Sequence, residues 1–444
     1  MGVGPVWRRP LGRRAAVKRL VRLATLMAAN IGQSLPRQCS NWADLKAAYR
    51  LLSNEAIRPE SLHEPHRRMT WEACGEHPVV LAVQDDTHLA GRCDREAHTT
   101  LVVLPSGDLL GVLDQRFFEH VVPPPGEKRS ARAQRWRESQ VWSDAVEAIG
   151  SPPLGCRLLH VADRASDDLA FFEACESHGV GFVVRAKHDR RVEQATDKLW
   201  GFLEKQAVAG STRVRVGEQR NSRGTIVRRQ RDVAVDVRFA RVQLERPWNH
   251  PHPAAGRSVW AVYLSEPAAV DAEHAAEAEH AVDWVVLTSE PVECFGDALR
   301  LTGYYTRRWV IEEWHRALKE GCRLEASQLD DPEDHLRLTA LLSIMAVRLL
   351  QLRDLAKVDH PDADDPAALR RWAPRGWIAV VAHLAGTHPS QLTLRQFFLT
   401  IAKRGGYLNR RRDPPPGWKV LWRGWYDISL LVEGAELAAH PAPD

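Results

Sequence analysis

The fold is decided by one apolar run and the polar residues that end it, Val79-Val80-Leu81-Ala82-Val83-Gln84-Asp85-Asp86. Consecutive aliphatic residues of this kind are typical of a strand that is buried on both faces of a sheet. Two further short apolar runs, 157–162 and 181–185, predict similar strands, and the first of them is followed by Asp163. We therefore expect a buried sheet that presents Asp85 and Asp163 at the ends of two strands.

Turn and cap residues mark the elements between these strands. Apolar runs at 99–104 and 109–113, joined by Pro105-Ser106-Gly107-Asp108, predict a β-hairpin. A polar helix is predicted over about 130–149, and a second helix over 167–175 with Asp167 as its cap. The predicted order is strand, strand, strand, helix, strand, helix, strand.

This order resembles the ribonuclease-H-like fold, an α/β fold whose mixed sheet carries acidic residues at strand ends. The first acid of that fold lies on the first strand and the second lies just after the fourth, which are the places of Asp85 and Asp163 here. Because a fold does not fix a function, the order alone gives only an analogy for the chemistry.

The pattern of polar and apolar residues changes between about 191 and 290. Polar and apolar residues alternate at 212–216 and over Arg231–Leu244, and a strand-like run follows at 284–289. We interpret this part as an antiparallel β region inserted into the α/β domain. The acidic stretch 266–283 is expected to be a solvated excursion. Helices are predicted to dominate after Pro291.

Composition limits the class of protein. The chain has 444 residues, of which 44% are hydrophobic, so it can bury a large core. Its seven cysteines are scattered without metal-finger spacing, which favours a reduced, cytoplasmic setting over a secreted disulfide framework. The longest apolar helical stretch, 338–352, contains Arg348 and is expected to be too short to span a bilayer.

The N-terminal segment is basic, although the net charge of the whole chain is only +4. Arginines and lysines crowd the segment from Arg8 to Arg22, and no acidic residue precedes Asp44. Residues 14–30 are predicted to be a helix, and Asn41 is the expected N-cap of the next. A basic helical bundle suits a polyanion, whereas charge alone fits a solvated helix face equally well.

The most informative segment runs from Tyr304 to Lys319. If it is one helix, four side chains fall within about 60° of one another at roughly 100° per residue: Tyr305, Arg308, Glu312 and Lys319. Ile311, Trp314 and Leu318 form a separate apolar stripe that can anchor the helix in a core. Taken alone, the polar stripe also fits an exposed helix with an ordinary ion pair.

The pattern Tyr-x2-Arg-x3-Glu-x6-Lys is similar to that of bacterial insertion-sequence DDE transposases of the IS-four type, a group that includes the Tn-five transposase. Further segments resemble that family in the same order along most of the chain: 84–87, 161–164, 182–188, 284–292, 346–353, 401–406 and 418–425.

The resemblance implies a DNA transposase whose acidic triad is Asp85, Asp163 and Glu312. Such a site is expected to hold two Mg²⁺ ions, with Mn²⁺ able to substitute, because hard cations prefer carboxylate oxygens. Asp86 lies beside Asp85, and Cys93-Asp94-Arg95-Glu96 is a second candidate for the middle motif. Asp163 is preferred over Asp94 because an apolar strand precedes it.

The resemblance also implies contacts with DNA. Tyr305, Arg308 and Lys319 are expected to hold phosphates near the transposon end. Trp284 is expected to receive a base that leaves the stack when a hairpin forms at that end, and the alternative is a core tryptophan. The backbone of the DNA is also expected to contact the segment that contains Arg185, Lys187 and His188.

Three domains are expected: helical DNA-binding residues 1–70, a ribonuclease-H-like catalytic domain at 71–372 with the β insertion, and a helical dimerisation domain at 373–444. The expected partners are transposon-end DNA with terminal inverted repeats, target DNA and a second copy of the chain. Two alternatives stay open: an inactive relic that only binds transposon ends, and a ribonuclease-H-like nuclease that cuts without joining.

Overall fold

The structure is a computed structural model. It describes residues 14–90, 93–120, 135–217, 219–220, 226–228, 230–246, 256–267, 281–355, 362–373, 375–411 and 413–439, with isolated positions at 122, 124, 126, 128 and 357. Several predicted features lie outside these residues, including the first basic residues before Arg14, the start of the helix expected at 130 and most of the acidic stretch at 266–283.

The protein is a mixed α/β structure with a nine-stranded sheet and flanking helices. The strands are β1 (Val79–Leu89), β2 (Arg95–Val103), β3 (Leu109–Phe118), β4 (Arg157–Ala162), β5 (Gly181–Arg185), β6 (Gly210–Val216), β7 (Gln219–Arg220), β8 (Ile226–Arg228), β9 (Arg231–Leu244), β10 (Arg257–Ser265) and β11 (Asp283–Thr288). The order in the sheet is β3-β2-β1-β4-β5-β11-β10-β9-β6, and β7 and β8 form a separate pair.

The helices are α1 (Arg14–Ala29), α2 (Leu35–Gln38), α3 (Trp42–Leu52), α4 (Pro59–Cys74), α5 (Val141–Ile149), α6 (Leu169–Ser177), α7 (Leu199–Glu204), α8 (Phe295–Thr306), α9 (Trp309–Arg316), α10 (Pro332–Leu355), α11 (Pro366–Trp372), α12 (Arg375–Ala385), α13 (Leu394–Arg404) and α14 (Trp418–Ala439). The chain divides into two compact units. Unit 1 comprises Met1–Ala73, Asp86–Glu119 and Val310–Asp444, and unit 2 comprises Cys74–Asp85 and His120–Trp309. The three-domain division stays a prediction.

Unit 2 contains the parallel centre of the sheet. β4 pairs parallel with β1 and with β5, and β11 then joins β5 antiparallel. The aliphatic runs that predicted these strands are buried, as expected for strands covered on both faces. The buried amide of Gln84 donates to His160 Nδ1 over 2.7 Å, which ties β1 to β4. Burial lowers the pKa of His160 to about 3, so the ring is neutral.

The antiparallel strands of unit 2 extend the same sheet. β9 pairs with β6 and β10, and β10 pairs with β11, all antiparallel. The alternation in the sequence therefore does mark antiparallel strands, and the bounds of β9 are those predicted. β10 and the short helix α7 were not expected. That these strands are an insertion into a ribonuclease-H-like domain stays an interpretation.

Unit 1 is built on α10. The buried guanidinium of Arg337 donates to the carbonyls of Ile57 and Leu52 over 2.6 and 3.0 Å, so it closes the C-terminal end of α3. His63 of α4 hydrogen-bonds the Ala340 carbonyl, 2.8 Å away. The described N-terminal helices are thus fixed to the same core as α10. A second apolar cluster is formed by α11–α14, where Trp377 packs against Trp425.

Two helix predictions, one in each unit, need correction. The apolar stretch that includes Arg348 belongs to a 24-residue helix, α10, which is long and apolar enough by composition to cross a membrane. Most of the apolar part of α10 is buried inside the protein, as it is in the core helix of a soluble protein. The length of α10 is therefore only weak evidence for a membrane span. The helix expected from about 130 begins only at Val141 within the described residues, after a 3-10 turn at Glu138–Gln140.

Candidate active site and nucleic-acid interface

Two acidic residues, Asp85 and Asp163, lie at the same level of the adjacent parallel strands β1 and β4. Val83 of β1 is the register partner of Val161 of β4, and Asp85 and Asp163 each follow two residues later. Because side chains alternate along a strand, equivalent positions on parallel neighbours face the same side of the sheet. Asp85 was predicted to lie at the end of its strand. β1 instead continues to Leu89, so Asp85 lies within the strand. Asp163 directly follows β4, as predicted.

Local hydrogen bonds hold Asp163 in place. Its carboxylate accepts from the Ala165 amide over 2.7 Å, as the N-cap of a 3-10 turn at Arg164–Ser166. Both Asp85 and Asp163 are half-buried, whereas Asp86 is exposed on the opposite face of β1. Asp94 lies in the turn after β1, with a left-handed φ of 44° and a side chain that is 81% exposed.

Arg308 contacts Asp85. The guanidinium Nη1 lies 3.3 Å from Asp85 Oδ2, and the two side chains are only 16% and 14% exposed. Partial burial weakens screening by solvent, so this pair is stronger than a typical surface ion pair.

The segment 304–319 is not one regular helix, which corrects the prediction. α8 ends at Thr306, a tight turn contains Arg307 and Arg308, α9 follows, and a π-helical turn spans Ala317–Gly321. The apolar stripe is confirmed, since Ile311, Trp314 and Leu318 are fully buried. The rotation assumed between the four polar side chains does not hold across these irregular turns.

Glu312 and Lys319 belong to unit 1. Glu312 is half-buried in the first turn of α9. The Lys319 ammonium donates to the carbonyl of His88 over 2.6 Å and lies 3.7 Å from Glu325. Within the described residues, no three His, Cys, Asp or Glu side chains are grouped closely enough to hold a metal ion.

A cluster of three side chains in unit 2 contains Trp284, Arg185 and Tyr305. Arg185 pairs with Val286, so it lies diagonally across from Trp284 on the same face of the sheet. Its guanidinium lies 5.1 Å from the centre of the Trp284 ring, and Tyr305 meets that ring edge-on at 6.4 Å. Burial lowers the pKa of Arg185, and the neighbouring Tyr305 hydroxyl opposes this change. Trp284 itself is only half-buried, unlike a core tryptophan.

Lys187 and His188 lie in the loop after β5 with exposed side chains. Both backbone amides donate to the carboxylate of Asp167, over 2.7 and 3.1 Å, and Arg190 pairs with the same carboxylate. Asp167 was predicted to cap α6, but Asp168 caps it by accepting from the Ala170 amide. Asp167 instead fixes the loop, a role that its sequence neighbourhood did not indicate.

Two family models match the chain. Residues 13–57 match the model described as Transposase DNA-binding, and residues 138–348 match the Transposase DDE domain. The chain therefore contains a transposase DNA-binding domain and a transposase DDE domain. The DDE match contains Asp163, Glu312 and all seven residues proposed above for DNA contacts, whereas Asp85 precedes it. The parallel register of β1 with β4 is thus the observation that places Asp85 at the same level as Asp163.

The DNA-binding match covers α1–α3. Asn41 caps α3 as predicted, since its side chain accepts from the Asp44 amide over 2.9 Å. One face of α3 is exposed and carries Trp42, Lys46, Tyr49 and Arg50 at helical spacing. Trp42 is 71% exposed. A large exposed aromatic residue on the same face as two cations is typical of a nucleic-acid interface.

Proposed function

We propose that the protein is a DDE transposase of the IS-four type that moves DNA by cut-and-paste transposition. In this proposal it nicks DNA at the transposon ends, forms and opens a hairpin there, and joins the freed end to target DNA. The observation that carries the proposal is the matched register of Asp85 and Asp163 on adjacent parallel strands. The DDE match and the Tyr-x2-Arg-x3-Glu-x6-Lys pattern add Glu312 as the third acid.

The three carboxylates are proposed to hold two Mg²⁺ ions, or Mn²⁺ in their place. Bound divalent ions supply an activated oxygen nucleophile and stabilise the leaving oxygen of a phosphodiester. Asp85 and Asp163 fit this role in donor type and register. Glu312 lies in unit 1, and its assignment rests on the pattern of residues 305–319.

The basic residues are proposed to position the DNA. Arg308, which contacts Asp85, carries a planar guanidinium that would suit a phosphate beside that carboxylate. Tyr305 and Lys319 are assigned to phosphates by the resemblance. Lys187 and His188 project from a loop whose backbone Asp167 holds rigid, so they need little ordering when they bind.

Trp284 is proposed to receive the base that leaves the stack when the hairpin forms. Its ring is half-exposed, and Arg185 and Tyr305 fix its orientation. A ring held in this way offers a π-face at little entropic cost. Arg185 is also proposed to contact the DNA backbone beside it.

The proposed partners are transposon-end DNA with inverted repeats, target DNA and a second copy of the chain. The C-terminal region 373–444 is proposed to pair two protomers across two DNA ends. The last turns of α14 expose Leu430, Leu431 and Leu437, a surface that suits such pairing. We place the protein in the cytoplasm, associated with the nucleoid when it is bound to DNA.

The test uses full-length protein and DNA ends taken from the inverted repeats that flank the gene. Asp85→Asn, Asp163→Asn and Glu312→Gln should each abolish divalent-metal-dependent nicking. Asp94→Asn is the matched control, because Asp94 is exposed and asparagine accepts its left-handed backbone. Near-normal nicking by any triad variant would remove that residue from the site.

The same assay separates the alternatives. An inactive relic would bind the ends without nicking them at any metal concentration. A nuclease would nick them but leave no joined product with target DNA. A strand-transfer product, lost in each triad variant and kept in the Asp94 control, supports the transposase.

A further inference from the structure

Three arginines surround an open cleft in unit 1 that the proposed chemistry does not use. The cleft has a volume of about 390 Å³, and Arg323, Arg404 and Arg423 line it together with Trp422 and Tyr426. Gly32 and Gln33, which belong to the Transposase DNA-binding match, complete one wall. The cleft therefore joins the DNA-binding helices to the C-terminal helices.

Two glycines create this cleft by letting α13 and α14 touch backbone to backbone. A Cβ atom on Gly405 would lie 1.8 Å from the Val420 carbonyl oxygen, and one on Gly424 would lie 1.7 Å from that of Ile401. No side chain fits at either position. The close approach brings Arg404 and Arg423 to the same cleft.

A third arginine is directed to the cleft by an unusual backbone conformation. Arg323 follows the π-helical turn at Ala317–Gly321 and has a left-handed φ of 57°. Residues other than glycine rarely adopt this conformation, and they persist in it where the surroundings require it. Trp422 forms a wall, with its ring seated on Gly32, where a Cβ atom would lie 1.8 Å from the ring.

The charge of the cleft is not balanced. Within the part of the chain that the structure describes, Arg323, Arg404 and Arg423 have no ion pair or side-chain hydrogen bond, and Asp427 is the one acidic residue in the lining. Guanidinium groups that share a cleft repel one another unless an anion joins them. Their planar forks match phosphate oxygens.

We propose that this cleft binds the sugar–phosphate backbone of duplex DNA next to the helices α1–α3. The proposal rests on the proposed function, because it assumes that the chain binds DNA. It adds a second contact surface made by residues of α13, α14 and the segment after α9. Phosphate contacts carry no base sequence, so the cleft strengthens binding to any duplex and does not select the end.

The experiment compares full-length variants for binding to a duplex of unrelated sequence, without divalent metal, by fluorescence anisotropy over a range of salt. The test variant is Arg404→Gln with Arg423→Gln. The matched control is Lys403→Gln, which removes one positive charge from the same turn of α13 but does not line the cleft. Arg404→Lys with Arg423→Lys keeps the charge and tests whether loss of the arginines disrupts folding.

Each phosphate contact contributes about 0.9 to the log–log salt slope, so the Gln pair should lower the slope by about 1.8. At 0.1 M salt this corresponds to roughly 60-fold weaker binding. The Lys pair should keep most of the slope, and Lys403→Gln should keep all of it. Metal-dependent nicking of plasmid at low salt should persist in every variant.

The proposal would be overturned if Arg404→Gln with Arg423→Gln had the same salt slope as the unmodified protein. It would also be overturned if Lys403→Gln lowered the salt slope by as much for each charge removed. Neither result affects the proposed function. If the parent chain itself binds no DNA, the proposed function fails first, and that outcome is visible before any variant is compared. Equal loss in the Gln and Lys pairs with a lowered melting temperature would assign the arginines to stability instead.

Discussion

Replacing Trp284 with alanine separates a base-stacking role from a core role. The ring is half-exposed at the start of β11, the Arg185 guanidinium lies 5.1 Å from its centre and Tyr305 meets its edge at 6.4 Å. If Trp284 receives a base only in the bent DNA, Trp284→Ala should leave the first nick intact and slow hairpin formation.

The cost to stability follows from these contacts. A cation–π contact contributes about 0.5–2 kcal/mol, depending on its exposure, and an edge-to-face aromatic pair about 0.5–1.5 kcal/mol. We therefore expect Trp284→Ala to lower the free energy of unfolding by roughly 1–3 kcal/mol, below the ~3–5 kcal/mol of a fully buried tryptophan. The protein should remain folded at assay temperature.

The effect on the reaction is of similar size but confined to one step. Stacking of a base on an aromatic ring contributes about 1–3 kcal/mol, which corresponds to a roughly 5- to 150-fold slower hairpin step if the stack exists only in the bent state. Trp284→Phe should recover part of this rate, because phenylalanine still offers a π-face.

The assay is a time course that resolves nicked, hairpin and double-strand-break products, run beside thermal unfolding. Trp260→Ala is the matched control, since Trp260 is also half-buried, on the adjacent strand β10 of the same unit. It should lower stability without a selective effect on the hairpin. Equal slowing of every step by Trp284→Ala, with a large fall in melting temperature, would refute the stacking role.

Three further predictions concern pH, end binding and pairing. Burial holds the pKa of His63 at about 4 and those of His66 and His160 at about 3, below 6.5, so their contribution to stability is full above pH 6.5 and is lost as the pH falls. Each should cost about 1.4 kcal/mol per pH unit of acidification, and an unfolding free energy that is flat between pH 7 and 5 would contradict this. Lys46→Gln with Arg50→Gln should lower the salt slope for end DNA by up to about 1.8, and an unchanged slope in the same anisotropy titration would exclude this face of α3. Glutamate at the exposed leucines of α14 should abolish the paired-end complex in sedimentation but spare single-end binding, whereas an active complex with one protomer and one end would exclude pairing.

The strands at the centre of unit 2 could be predicted because local pattern and burial agree there. The bounds of β4 and β5 coincide with their aliphatic runs, since both faces of these strands are covered. β1 was predicted to end at its first polar residue, yet it continues to Leu89. Beyond Gln84 its side chains alternate between half-buried and exposed, a pattern that reads as a turn in so short a segment.

Contacts between residues that are distant in the chain could not be predicted from the sequence. Asp167 and Asp168 are adjacent and chemically identical, and either could cap α6. Only the position of the loop 186–190 decides that Asp167 fixes that loop and Asp168 caps the helix. The cleft with three arginines was equally hidden, because its residues come from separate parts of the chain.

The segment 305–319 shows why residue spacing fixes chemistry only where the helical ladder is unbroken. The amides of Arg307 and Arg308 bond to carbonyls three residues earlier, which tightens the chain, and the amide of Cys322 bonds to the carbonyl of Ala317, five residues earlier, which widens it. Each irregular turn changes the rotation per residue, so a rotation of about 100° per residue cannot be counted across both turns. Arg308 contacts Asp85 and Lys319 donates to the His88 carbonyl, so both cations contact residues of the same strand, β1. The spacing of the segment therefore accompanies two contacts with β1 that an irregular backbone makes, and these contacts do not require one regular helix.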